Sequence, residues 1–127
     1  MILCAVDDLI FSIKISTAAK LLGASIFFER SPDMVLPRIR EKQPALVIFD
    51  LNSAKLGPLD VIEAMKADPV LRGIHTLGYV SHVQTDVITA ARAAGIDEVL
   101  ARSAFSDQLG EILTTPRTRS TPPAPAG

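Results

Sequence analysis

Two short, wholly apolar runs, Ile2-Leu3-Cys4-Ala5-Val6 and Leu46-Val47-Ile48-Phe49, each stop abruptly at acid, Asp7-Asp8 after the first and Asp50 after the second. A strand with one face in water alternates apolar and polar side chains. A run without alternation, and too short for a helix, fits a strand buried on both faces, the state of strands in a parallel sheet covered by helices. The C-termini of such strands open onto one rim, so Asp7, Asp8 and Asp50 are expected to converge there. Convergent carboxylates repel one another unless a cation sits between them, and hard oxygen ligands of this kind suit Mg²⁺. The pattern points to a rim that holds a divalent metal and an anion bridged by it.

Around these runs the chain alternates short apolar stretches with amphipathic ones, the signature of a βα repeat. Phe11, Ile15, Ala18 and Leu22 recur at helical spacing, and Gly23 is placed to end that helix. Ile26-Phe27-Phe28 reads as a second strand. Ser31-Pro32-Asp33 opens a second helix, with serine at the N-cap and proline at the first helical position, and Val35, Leu36 and Ile39 face inward. Pro37 is expected to loosen this helix. Gln43-Pro44 should end it, because a residue before proline is driven out of helical geometry.

Beyond Asp50 a third helix is expected from about Leu59 to Ala67, then a fourth strand over Thr76 to Ser81. Val87, Ile88, Ala91 and Ala94 give a fourth helix closed by Gly95, Glu98 to Ala101 a fifth strand, and Phe105, Leu109 and Ile112 a last helix. This is an α/β domain of five strands and five helices over residues 1–113. From Thr114 to Gly127 almost no apolar side chain is left to bury, so a disordered Pro/Thr-rich tail is expected.

Composition removes several function classes. Thirteen basic against fourteen acidic residues give a formal charge of -1, so no global field draws the chain to nucleic acid or an anionic membrane. Cys4 is the single cysteine and lies within an apolar run, which excludes an intramolecular disulfide and fits a reducing compartment. It reads as a core residue. The first apolar run ends after a few residues and no stretch approaches bilayer length, so a cytoplasmic location is expected. No glycine-rich dinucleotide fingerprint, Walker-type loop or His-Glu-x-x-His follows the strands, so the chain is not expected to be an enzyme.

The succession of elements, with acids closing the first and third strands, resembles the receiver domain of bacterial two-component response regulators. The resemblance covers residues 1 to about 113 and needs no gap from Asp50 to Arg102. It implies a flavodoxin-like three-layer sandwich with strand order 2-1-3-4-5. It also implies that Asp50 accepts a phosphoryl group from a histidine kinase or phosphotransfer protein, that Asp8 binds Mg²⁺ directly and Asp7 through water, and that the Asn52 backbone carbonyl is a further ligand. The chemistry agrees: a carboxylate is a weak nucleophile, and transfer between two anions needs a metal and cationic donors.

Receivers supply those donors with a lysine after the fifth strand and a threonine or serine after the fourth. Here the lysine position carries Arg102, followed by Ser103 in place of the usual proline. Arginine keeps the charge in a broad planar fork. Val80 stands at the threonine position and Val99 at the aromatic position of the fifth strand, so the usual coupling of a hydroxyl to a swinging ring is missing. Ser81 takes the hydroxyl role only if the fourth strand slips by one residue, and such a slip exchanges the two faces. The turn after Asp50 reads Ser53-Ala54 where Met-Pro is common, with Gly57-Pro58 nearby.

Each residue also has an ordinary structural reading. Aspartate at a strand end often caps a helix or shapes a turn, Arg102 is as readily a surface ion-pair partner, and His75 and His82 read as surface or satisfied loop residues. Two functions stand open. One is a single-domain, response-regulator-like protein in phosphorelay signalling, acting on a downstream protein partner through its fourth and fifth helices, with a homodimer as one arrangement. The other is a pseudo-receiver, an interaction or scaffold module that is never phosphorylated.

Overall fold

A computed structural model describes residues 1–81 and 84–115. His82 and residues 116–127, most of the expected tail, lie outside the described residues. The elements run β1 (Ile2–Ala5), α1 (Leu9–Leu22), β2 (Ile26–Phe28), α2 (Pro32–Lys42), β3 (Leu46–Asp50), α3 (Pro58–Ala67), β4 (His75–Val80), α4 (Thr85–Ala94), β5 (Glu98–Ala101), α5 (Arg102–Asp107) and α6 (Leu109–Thr114). One sheet has the order β2-β1-β3-β4-β5, with every neighbouring pair parallel.

The alternation of side chains along the strands divides the core into two layers. Leu3, Val47, Phe49 and Val80 face Val35 and Ile39 of α2, Ile62 and Met65 of α3, and Ala91 of α4. Cys4, Ile48, Leu77 and Tyr79 face Phe11 and Ile15 of α1, Phe105 of α5, and Ile112 of α6. The apolar runs that named the strands are thus buried from both sides, as parallel strands under two helical layers must be. Cys4 is buried and free, and burial pushes its thiol up to about 12, against a weaker lowering by Arg30, so it stays a packing residue.

Helix ends follow local chemistry. Gly23 and Gly95 close α1 and α4 in the left-handed conformation, where glycine has no Cβ to clash. The helix α2 begins at Pro32 and runs unbroken through Pro37 to Lys42, with Val35 and Ile39 buried on either side of the proline.

Two expectations need correction. The fourth strand is His75–Val80 rather than Thr76–Ser81, so Ser81 is the first residue past it. The last helical segment is two helices and not one, giving six helices among the described residues. Gln108, at φ −96 and ψ 4, leaves helical geometry between α5 and α6. Ser103, Ser106 and Gly110 give this stretch little helix propensity, and the break allows both Phe105 and the Leu109, Ile112, Leu113 set to be buried.

Gly78 marks a close approach in β4. A methyl group there would stand 2.7 Å from Leu51 Cγ and 2.9 Å from Ile96 Cδ1. Its absence lets Leu51, the residue after Asp50, close over β4.

Candidate functional site

Asp50 is the last residue of β3 and is only 8% exposed. The chain turns at once: the Leu51 N–H donates to the Tyr79 carbonyl at 3.0 Å, and the Ser53 N–H donates to the Asp50 carbonyl at 3.1 Å. The turn brings the Asn52 N–H to Asp50 Oδ1 at 3.0 Å. Burial pushes the Asp50 carboxyl above its usual range, the Asn52 N–H pulls against that, and the charge of nearby Asp7 adds to the rise. The acceptor expected from the sequence is therefore a desolvated carboxylate with a like charge near it.

Asp8 has two engagements. It is the N-cap of α1, with Oδ1 accepting from the Phe11 N–H at 3.1 Å, and its Oδ2 pairs with the Arg102 guanidinium. Asp7 pairs with Lys55 Nζ at 3.6 Å, both side chains being well exposed, so this contact adds little stability. Lys55 was missed by sequence reasoning, since nothing in the loop after Asp50 reveals how far its side chain reaches.

The structure brings Asp7 and Asp50 within electrostatic reach but turns Asp8 toward Arg102. Among the described residues no group of three His, Cys, Asp or Glu side chains is arranged to hold a metal ion. Asp7, Asp8 and Asp50 thus form no such group among the described residues, and Asp8 is paired with a guanidinium. The donors still fit Mg²⁺ in kind: they are hard carboxylate oxygens, and the Asp50 carboxyl is held up mainly by burial and to a lesser degree by the charge of Asp7, both of which a cation would offset.

Asn52 acts through its side chain as well. Its Oδ1 accepts from the Ser81 N–H at 2.7 Å and from the Ser81 hydroxyl at 3.0 Å, while its Nδ2 donates to Gln84 Oε1. The loop after Asp50 is thereby fastened to the end of β4 and the start of α4. The Ser81 hydroxyl is on the rim, as the sequence reading allowed, but it is spent on Asn52. Val80 is buried and Val99 packs against the α2, α3 and α4 layer, so neither offers a donor or a ring to the rim.

The rings are on the other layer. Tyr79 is paired in register with Asp50 and is buried. Its ring centroid lies 4.9 Å from that of Phe11 and 4.8 Å from that of Phe105, and the Arg102 guanidinium carbon lies 4.3 Å from the Phe11 centroid. Ring pairs and a guanidinium over a ring are each worth about 0.5–1.5 kcal/mol. Sequence reading treated Phe11 and Phe105 only as helix core and gave Tyr79 no role.

His75 lies at the opposite rim, at the N-terminus of β4. It is buried rather than on a surface loop, with Nε2 at 2.7 Å from Glu98 Oε1. Beside it Asp97 Oδ2 accepts from Lys66 Nζ at 3.0 Å, from the Thr76 N–H at 2.8 Å and from the Thr76 hydroxyl at 2.9 Å. This network ties β4, β5 and α3 together far from Asp50. No helix among the described residues is long and apolar enough to cross a membrane.

No protein-family model and no curated protein matches the sequence. Solved structures do match. A response regulator from Hahella chejuensis superposes with a TM-score of 0.80 at 16% identity, over 91% of this chain and 96% of that one. The Mn²⁺-bound form of response regulator Rcp1 gives 0.76 at 17% identity, over 92% and 96%. The phosphorylated cyanobacterial phytochrome response regulator RcpA gives 0.71 at 22% identity, over 88% and 86%. At these identities the likeness is one of fold: the chain has the flavodoxin-like architecture of response-regulator receiver domains.

Proposed function

We propose that this chain, which shares its fold with receiver domains, is a receiver-like signalling module that takes a phosphoryl group on Asp50 in the presence of Mg²⁺. The observation that carries the reading is the state of Asp50: a desolvated carboxylate at the mouth of β3, beside Asp7 and hydrogen-bonded by the Asn52 N–H. That Rcp1 has been solved with Mn²⁺ and RcpA in a phosphorylated form supports the chemistry by analogy of fold.

In this reading the donor is a histidine kinase or phosphotransfer protein. An Asp50 carboxylate oxygen attacks phosphorus, a new O–P bond forms, and the N–P bond of the phosphohistidine breaks with its electron pair retained by the imidazole. Bound Mg²⁺ would screen charge between carboxylate and phosphoryl. Asp7, Asp8 and Asn52 are the residues that would hold it. Arg102 and Lys55, paired with Asp8 and Asp7, are cations at the rim that would meet an added anion, and Ser81 would supply a hydroxyl once released by Asn52. The module acts in the cytoplasm on a protein partner and is not an enzyme in its own right.

One observation favours the pseudo-receiver instead. The pairing of Asp8 with Arg102 neutralises a metal ligand from within the chain. The two readings separate in one experiment: incubate the full chain with Mg²⁺ and a small-molecule phosphodonor such as acetyl phosphate, then measure intact mass. A single phosphoryl adduct, lost in Asp50→Asn, is expected. An unmodified chain would favour the pseudo-receiver.

A further inference from the structure

Arg102 belongs to both the acidic rim and the core beneath it. Its guanidinium pairs with Asp8 and also covers the face of Phe11. Phe11 is also joined to Asp8 directly, since its N–H donates to Asp8 Oδ1. Below it lie Tyr79 and Phe105, and Phe105 returns to the same helix as Arg102. The four side chains join α1, β4 and α5 in a closed loop. Tyr79 also stands opposite Asp50 in the sheet register, and its hydroxyl is buried without a hydrogen-bond partner among the described residues. An unpartnered buried hydroxyl is costly in place, so it responds to any new acceptor or rearrangement nearby. Burial and then the Asp50 charge hold this phenol above its usual range, which places the two groups in one electrostatic environment.

We propose that Arg102, Phe11, Tyr79 and Phe105 form the element that senses the state of the Asp50 rim and conveys it to α1 and α5, on the sheet face opposite Val80 and Val99. The inference rests on reading Asp50 as a phosphoryl acceptor. A cation at Asp8, or an anion added at Asp50, changes the partner of Arg102. The guanidinium then leaves the face of Phe11, and the first turn of α1 loses its bridge to α5 through Arg102, while the Phe11 N–H keeps its bond to Asp8 Oδ1. An equilibrium shifts only through contacts that differ between its states. Arg102 has such contacts, whereas Val80 and Val99 do not. Leu9, Ile10 and Ile13 flank Phe11 on the exposed side of α1, so movement of this turn alters an apolar surface.

The chain contains one tyrosine and no tryptophan, so tyrosine emission reports Tyr79 alone. The test titrates the full chain with Mg²⁺ and beryllofluoride and follows tyrosine emission, while fluorine NMR on the same samples measures bound beryllofluoride. Binding accompanied by a change in emission is expected. In Phe11→Met and Phe105→Leu, which leave the rim carboxylates in place, binding should persist and the emission change should be lost. Binding to the parent chain with no change in emission would overturn the relay and leave the acceptor reading intact. An unchanged response in both variants would overturn it equally. Absence of bound beryllofluoride in the parent chain would instead overturn the acceptor reading and the relay with it. Should a variant fail to fold, Phe11→Leu and Phe105→Met take its place and are read by the same two outcomes.

Discussion

Arg102 shows how much one side chain at the rim can decide. The sequence offers it as a substitute for a lysine, which implies a free cation near the phosphoryl group. The structure gives it a partner already, Asp8, at side-chain exposures of 32% and 23%. Such a partly exposed pair is weak enough to exchange. In the proposed function a metal at Asp8 would compete with Arg102 for one carboxylate, and Arg102→Ala should then tighten Mg²⁺ binding by about threefold to tenfold. The same change should lower the yield of phosphoryl adduct, because a cation is lost from the rim. Isothermal titration checks the first effect and intact mass the second. Equal Mg²⁺ affinity in both proteins would mean that the metal does not use Asp8. This competition was not legible in the sequence. The alignment of positions identifies which groups are near one another, but not which of two opposite charges a carboxylate prefers.

At the scale of elements the sequence was informative wherever burial imposed a period. Unbroken apolar runs placed the first three strands, shorter apolar stretches placed β4 and β5, all to within a residue, and Gly23 and Gly95 marked two helix ends. The register question at Ser81 could not be settled that way, since Gly78, Tyr79 and Val80 are compatible with either face. It was settled by packing. Gly78 must lie under Leu51 and Ile96, which fixes Tyr79 on the α1 layer and Val80 on the α3 layer. Gly78→Ala should therefore destabilise the domain by about 1–3 kcal/mol, the usual cost of forcing a carbon into a filled core. Urea denaturation would measure this as a lower midpoint with an unchanged slope. A neutral result would mean that Leu51 moves freely, and the loop holding Asp50 would then be less fixed than its hydrogen bonds indicate. The break at Gln108 was only faintly marked in the sequence: Ser103, Ser106 and Gly110 lower helix propensity across the stretch but do not say at which residue the chain turns.

Across the whole molecule the two ends of the sheet carry carboxylates displaced in opposite directions. Asp50, at the C-terminal rim, is raised by burial and by Asp7. For Asp97, at the N-terminal rim, burial alone would act the same way, but the Thr76 N–H, the Lys66 ammonium and the Thr76 hydroxyl outweigh it and hold the carboxyl low. Linkage gives each a sign. A raised folded-state value means that the native state holds its proton longer than the unfolded chain. The Asp50 contribution is then fully present below the unfolded value and is lost as pH rises through the higher folded one. Asp97 does the reverse: its contribution is present above the unfolded value and is lost as pH falls through the lower folded one. The two windows meet near the ordinary aspartate value, about 4, so these groups together favour a stability maximum in mild acid. In chelator without divalent metal, Asp50→Asn should be more stable than the parent at pH 7, and the difference should narrow as pH falls through the carboxylate range. Asp97→Asn should be less stable at pH 7 and should lose the steep acid limb of the profile. Thermal melts across pH would show both. If Asp50→Asn melts at or below the parent at pH 7, the Asp50 carboxylate is not destabilised by its site, and the electrostatic case for a cation there fails.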